Sequence, residues 1–356
     1  MSFTKEDSMR AKGIGILLLL FHHLFFNKAR FGPYDVTPQF ISENSLITIA
    51  TAARVCVWIF VFISAYGITI QYLNRSESES IPCFTFKRWF SLMKNFWLVY
   101  VLVTLTLFAA GLPVDKYNGN PLYAILDFLG IADIFGTPTR SGAWWYMSFA
   151  QVMVVLMPFL IELCKKFSWS VIVLTFIGLQ YLPDGFVSSS GGAYAMYLPG
   201  IILGILCAQH DLFRKLKEIS GWPKKLIVSM ALCLAAVCLI CFRFWIVSDA
   251  FAYNNRYLHW ILYSIAAVLL CALATQCRFK GILAFLGKHS GTMPLTHMFF
   301  VYYASNVVFY TKTVLGSYLT LIAFSLLSSI VIECVKSLIQ YEKWLGVLYT
   351  KIIKLL

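Results

Sequence analysis

Apolar residues along this chain come in long runs parted by short polar ones, and the runs approach the roughly 20 residues a helix needs to cross a bilayer. Ten stretches fit or nearly fit: 10–29, 46–73, 92–112, 144–164, 168–182, 193–209, 225–247, 257–277, 290–311 and 316–340. The fifth is short, and the sixth contains Pro199 and Gly200. The pattern predicts an all-α membrane protein, a polytopic helical bundle of about ten transmembrane helices. No stretch between the runs is long enough for a second core, so residues 1–356 are expected to form a single transmembrane domain with no separate soluble domain.

Composition sharpens this. Of the 356 residues, 60% are hydrophobic and only 13% charged, too few charges to cover a soluble domain. A net charge of +13 would suit nucleic acid if the cations were clustered, and they are not. With the N-terminus in the cytoplasm, most of the 29 cations fall on that side, among them Lys5, Arg10, Lys12, Lys87, Arg88, Lys94, Lys165, Lys166, Lys215 and Lys336. Lys28, Arg30, Arg54, Lys116, Arg140, Arg243, Arg256 and Lys312 are left on the other. The positive-inside bias therefore predicts both termini cytoplasmic, and attraction to anionic lipid accounts for the basic balance without nucleic acid. Ten cysteines are scattered singly; Cys238 and Cys241 have CxxC spacing but no neighbouring ligands, so they read as buried small hydrophobes and no metal is expected.

Polar groups at membrane depth carry the chemistry. The first run, MRAKGIGILLLLFHHLFF, places Lys12 and His23 eleven residues apart. That is about 20° around a helix axis and about 16 Å along it, so Lys12, Gly15, Leu19, His23 and Phe26 share one stripe. With Lys12 at the surface, His23 lies near mid-bilayer, where an ionisable side chain is costly and points to function. A histidine bonded to a neighbouring helix is the plainer alternative. Arg54, inside the second run, either snorkels outward or serves as a buried cation, while Ser64 beside Gly67 suits close helix packing. Lys87, Arg88 and Lys94 open the third run with a cluster that fits lipid headgroups or an anionic cofactor. The connection 112–143 holds Asp115, Asn118, Asn120, Asp127, Asp133 and Arg140, able to face the exterior. Trp144, Trp145 and Tyr146 follow as an interfacial belt that, beside Arg140, also suits a sugar ring. In LGKHSGTMPLTHMFF, Ser290 and His297 share a face, Pro294 kinks the helix between them, and His297 reaches a depth close to that of His23.

Taken in order, these motifs resemble acyltransferase family 3, bacterial membrane proteins that O-acylate surface carbohydrates. Lys12 and His23 keep the family's spacing of a cation and a histidine, with Lys in place of Arg. FVFISAYGITIQY is similar to its second-span ending, with Ala65 where Gly is usual. FKRWFSLMKNFWLVY, AWWYMSFAQVMVVLMPFL and LGKHSGTMPLTHMFF are similar to its third, fourth and penultimate segments. IVIECVKSL resembles a terminal Glu-Pro, with Cys334 at the proline. The resemblance implies transfer of an acyl group, usually acetyl, from cytoplasmic acyl-CoA to a hydroxyl of a cell-surface or lipid-linked glycan. It implies His23 and Lys12 as catalytic residues. Arg54, Arg88, Arg140, Trp144, Tyr146, Ser290 and His297 would position acyl-CoA or acceptor. No cofactor would be bound permanently; acetyl-CoA or another acyl-CoA is a co-substrate. Expected partners are acyl-CoA, a carbohydrate or lipid-linked glycan, membrane lipids and, compatibly, a second copy in a homo-oligomer. The expected location is the bacterial cytoplasmic (inner) membrane. A transporter or flippase is the alternative, since ionisable residues and Gly/Pro-broken spans also mark solute paths; a non-catalytic subunit of a polysaccharide-export complex is a third. Against transport, Glu162 and Glu333 both lie near span ends, which leaves few acids for ion coupling.

Overall fold

Thr4 opens the first helix with a reciprocal cap: its hydroxyl accepts the Asp7 N–H at 3.2 Å while the Asp7 carboxylate accepts the Thr4 N–H at 2.9 Å. The computed structural model describes residues 3–112, 116–248, 258–276 and 280–353, so Asp115 and Arg256 fall outside the described residues. From the cap, α1 runs Lys5–Phe25. Asn27 then caps a short α2, Lys28–Phe31, and the segment through Tyr34 bends 79° away from α1. The first span thus ends at Phe25, and Lys28 and Arg30 lie beyond the break.

The chain continues through α3 (Glu43–Ala52), a 3-10 turn at Ala53–Val55 and α4 (Cys56–Leu73). After these come α5 (Ile81–Ala109), a short α6 (Pro121–Phe128), α7 (Trp145–Phe167) and α8 (Ser170–Gln180). Then follow α9 (Asp184–Val187), α10 (Leu198–Gln209), α11 (Arg214–Glu218), α12 (Trp222–Ser248) and α13 (Leu258–Gln276). The chain closes with α14 (Lys280–Lys288), α15 (Met293–Tyr303), α16 (Ser305–Val308), α17 (Val314–Leu338) and α18 (Tyr341–Ile353). Among the described residues there is no strand beyond one bridge between Thr37 and Thr313. Among the described residues seven helical segments are long and apolar enough to cross a membrane, or up to eight if the bent first pair is one span. Each of the ten apolar runs is helical over most of its described residues. The fifth is only the 11 residues of α8, and the ninth is split between α14 and α15 where Ser290, Gly291 and Pro294 interrupt it.

Contacts sort the charged residues onto two ends. At one, Lys217 pairs with Asp7 at 2.7 Å, Lys94 and Lys336 both grip Glu342, and Arg75 and Lys165 lie over the Tyr72 ring. At the other, Lys28 pairs with Glu43 and Lys312 with Asp35. The first of these is the basic end.

Two sequence expectations change. Part of the 112–143 connection is packed rather than displayed: Asn118 is exposed, whereas two of its charged residues turn inward. Asp127 and Arg140 are buried, Asp127 accepts the Arg140 N–H at 2.8 Å and the Tyr117 hydroxyl at 2.8 Å, and Gly130 presents its carbonyl to Ser148 and Gln151 on α7. A segment rich in backbone polar groups is satisfied this way without water. Cys238 and Cys241 are exposed on α12, not buried, because that helix turns most of its surface outward, where hydrocarbon would solvate it.

Candidate active site

The stripe on α1 is set by what flanks it. A Cβ on Gly13 would collide with the Leu283 carbonyl of α14, and a Cβ on Gly15 would stand 3.0 Å from the Phe60 ring of α4. Bare glycines on two sides let α14 and α4 close on α1, and the face left between them carries Lys12, Leu19 and His23. That face borders a cavity of about 290 Å3.

Each wall follows from helical spacing. α4 contributes Val57, Phe60 and Ser64, α5 contributes Ser91 and Asn95, α7 begins with Trp145 and Tyr146, and the α14–α15 break supplies Ser290, Gly291 and Pro294. Asn95 donates to the Gly291 carbonyl at 2.8 Å, tying α5 to that break. A second cavity of about 710 Å3 shares Lys12, Ser64, Ser91, Leu92 and Tyr146 with the first and widens toward the basic end, where Lys5, Ser8, Gln71 and Arg88 line it. The two meet along that shared wall and form one channel, with Ser64 on α4 and Tyr146 on α7 at the junction of the chambers.

Among the described residues Lys12 makes no ion pair, so a half-buried cation with no carboxylate faces both chambers. Arg88 faces the wide chamber, and its Nε has no hydrogen-bond partner. Both are placed to meet an anionic group entering from the basic end.

At the far end of the channel His23 is held from behind. Arg30, folded back by the bend after α1, donates to the His23 carbonyl at 2.5 Å, and its guanidinium lies 3.5 Å from His23 Nδ1. The His297 ring stands 4.8 Å from the His23 ring, centroid to centroid, at 49°. His22, the adjacent imidazole, bonds instead to the Ala50 carbonyl at 2.8 Å. The pair of histidines thus divides: His22 secures α1 to α3, and His23 faces the channel.

An imidazole at the end of a mostly apolar channel, with a cation along its wall, is a constellation able to move an acyl group from a donor to an acceptor. The sequence matches the domain described as an acyltransferase domain, that of acyltransferase family 3, over residues 10–334. The chain belongs to acyltransferase family 3. No curated protein and no solved structure matches it.

In this membrane acyltransferase the expected site residues separate into three groups. Lys12, His23, Tyr146 and Ser290 border the inner chamber, and Arg88 borders the wide one. His297 is fully buried behind His23 and reaches the channel only through it. Arg54, Arg140 and Trp144 are elsewhere. Arg54 is exposed on the 3-10 turn between α3 and α4, the outward position a snorkelling side chain takes, within reach of the Tyr197 hydroxyl. Arg140 lies against the rings of Tyr100 and Tyr117. Trp144 is buried and donates its indole N–H to the Leu295 carbonyl at 3.0 Å, so it fastens α7 to α15; the exposed aromatic wall is Trp145 and Tyr146 instead.

Sequence reasoning passed over Ser91, Asn95 and Arg30, and read Ser64 as packing. A signal existed for each. Arg88, Ser91 and Asn95 recur at helical spacing along one face of an apolar helix, and Arg30 follows His23 by seven residues, the interval that joins Ser290 to His297.

Proposed function

We propose that this acyltransferase moves an acyl group, acetyl in the first instance, from cytoplasmic acyl-CoA to a hydroxyl of a cell-surface or lipid-linked glycan. The observation that carries the reading is the channel, which begins among Lys5 and Arg88 at the basic end and finishes at His23. By the positive-inside rule this reading has the basic end face the cytoplasm, the compartment that holds acyl-CoA, with the protein in a bacterial inner membrane. The donor's phosphates remain among Lys5, Arg88 and Lys12 while its thin pantetheine arm passes Ser64 and Tyr146. The thioester then lies beside His23. The acceptor oxygen bonds to the acyl carbon and the C–S bond breaks; the hydroxyl proton leaves through His23 and ends on the CoA thiolate. The aromatic pair Trp145 and Tyr146 gives a sugar ring a flat apolar face near the reacting carbon.

Membranes containing the protein, incubated with acetyl-CoA labelled in the acetyl group, should pass label to a glycan fraction. The His23→Gln variant, inserted to the same level, should lose this activity by a factor of about 100 or more. Full transfer by that variant would remove the assignment, and solute uptake without label transfer would favour transport.

A further inference from the structure

His297 is the least explained polar group in the protein. Its residue is fully buried, and its Nδ1 lies 3.0 Å from the Pro294 carbonyl. A carbonyl only accepts, so Nδ1 carries the proton and Nε2 is left with a bare lone pair. That Nε2 is sealed from solvent and has no hydrogen-bond partner. An unsatisfied buried acceptor is destabilising, and such groups call for an explanation. A core position on α15 with no task would be filled by a leucine or methionine.

The ring beside it is His23, 4.8 Å away. The other titratable groups facing the two rings are His22 on α1, Arg30 on α2 and Arg54 on the 3-10 turn. Both arginines only donate, and His22 is already engaged with Ala50. No hydrogen bond joins the two rings in this structure, but among these groups His297 offers the free lone pair beside His23.

We propose that His297 is the proton-accepting partner of His23. When one ring nitrogen of His23 forms a bond, to a hydroxyl proton or to an acyl carbon, the N–H on its other nitrogen breaks and that proton moves to His297 Nε2. One N–H is lost and one gained, and the positive charge passes from the ring facing the channel to the ring behind it. The Pro294 carbonyl holds the protonated His297 through Nδ1–H throughout. When His23 releases its new bond, the proton on His297 returns to the vacated nitrogen of His23, and the proton from the hydroxyl ends on the thiolate. An imidazole here does the work that a buried carboxylate does for the histidine of a hydrolytic triad. His297 does not touch substrate, so it is a positioning residue that acts through His23.

The inference rests on the reading of His23 as the reacting imidazole, and its test needs neither acyl-CoA nor glycan. Diethyl pyrocarbonate places an ethoxycarbonyl group on a neutral imidazole nitrogen, with loss of the proton from the other. Rates at His22 and His23, resolved by fragmentation mass spectrometry of the labelled peptide, give a ratio in which His22 controls for access and folding. The His297→Gln variant, which cannot take a proton, should lower the His23/His22 ratio about tenfold or more. The isosteric His297→Glu variant, which can take one, should keep it near wild type. A ratio unchanged in His297→Gln, or lowered equally in both variants, overturns the proposal. Should wild-type membranes transfer no acetyl label while His297→Gln still lowers the ratio, the proton pair stands and the acyl-transfer reading falls.

Discussion

Gly13 on α1 lies directly against the backbone carbonyl of Leu283 on α14, and one turn earlier Gly287 on α14 meets the carbonyl of Met9 in the same way. No side chain separates the helices at either point. Interfaces in lipid are built on such contacts because van der Waals packing, not water exclusion, drives helix association there. The rotation that turns Lys12 and His23 into the channel depends on this seam. Gly13→Val and Gly287→Val should each destabilise the fold by about 1–3 kcal/mol or more through overpacking. The yield of monodisperse protein in detergent and its thermal midpoint measure this, and Gly67→Val, where a Cβ meets nothing within 4 Å, is the matched control.

The lysine at position 12 separates charge from geometry. Lys12→Met removes the cation common to both chambers and should raise the KM for acyl-CoA roughly tenfold to a hundredfold, as expected for loss of one charge-assisted hydrogen bond. Lys12→Arg restores a charge and adds a planar fork suited to phosphate, so its KM should equal or fall below that of wild type. Steady-state release of the CoA thiol measures both, and a Lys12→Met enzyme with unchanged KM would place the donor elsewhere.

The buried carboxyl in the 112–143 connection gives the protein a pH-dependent term. Burial pushes Asp127 up to about 6 from 3.8, against the lowering influence of the Arg140 N–H and the Tyr117 hydroxyl. The folded state therefore holds the proton more tightly than the unfolded chain. Stability from this group is greatest below about pH 4 and is lost as pH rises to about 6, a change of about 3 kcal/mol. Asp127→Asn, which resembles the protonated acid, should gain on wild type over that window and then keep a constant lead. Thermal midpoints of the two proteins between pH 4 and 7 test this; parallel curves would show that Asp127 ionises as it does in the unfolded chain.

Hydropathy makes the helices legible because a bilayer admits few alternatives: an apolar run near 20 residues long must be helical to satisfy its backbone. Helical spacing also brings Lys12 and His23 to one face, since rotation per residue is fixed. What lies beyond one helix is not written in that helix. Sequence puts His297 at the depth of His23, but their adjacency depends on how α14 and α15 break at Ser290, Gly291 and Pro294. Trp144 and Trp145 are neighbours with the same chemistry, and only the packing of α7 against α15 buries the first and leaves the second on the channel. Arg54 reads as a cation inside a span and Arg140 as one in an outside loop, yet a turn exposes the first and a folded connection encloses the second.

The junction of the two chambers yields the most specific expectation about the donor. Ser64 on α4 and Tyr146 on α7 both border the wide and the inner chamber at once. A pantetheine arm reaching from Arg88 to His23 has to pass along them. Ser64→Phe sits on a helix face that already borders open space, so the fold tolerates it while the ring fills the gap. Ser64 borders the wide chamber too, but the cations there, Lys5 and Arg88, are unchanged. Binding of the nucleotide end, read by competition with 3′-phospho-ADP, should therefore stay near wild type. Acyl transfer should fall on the order of a hundredfold, because the thioester can no longer reach His23. Weakened nucleotide binding with an unaltered turnover rate would mean that the acyl group arrives by another route.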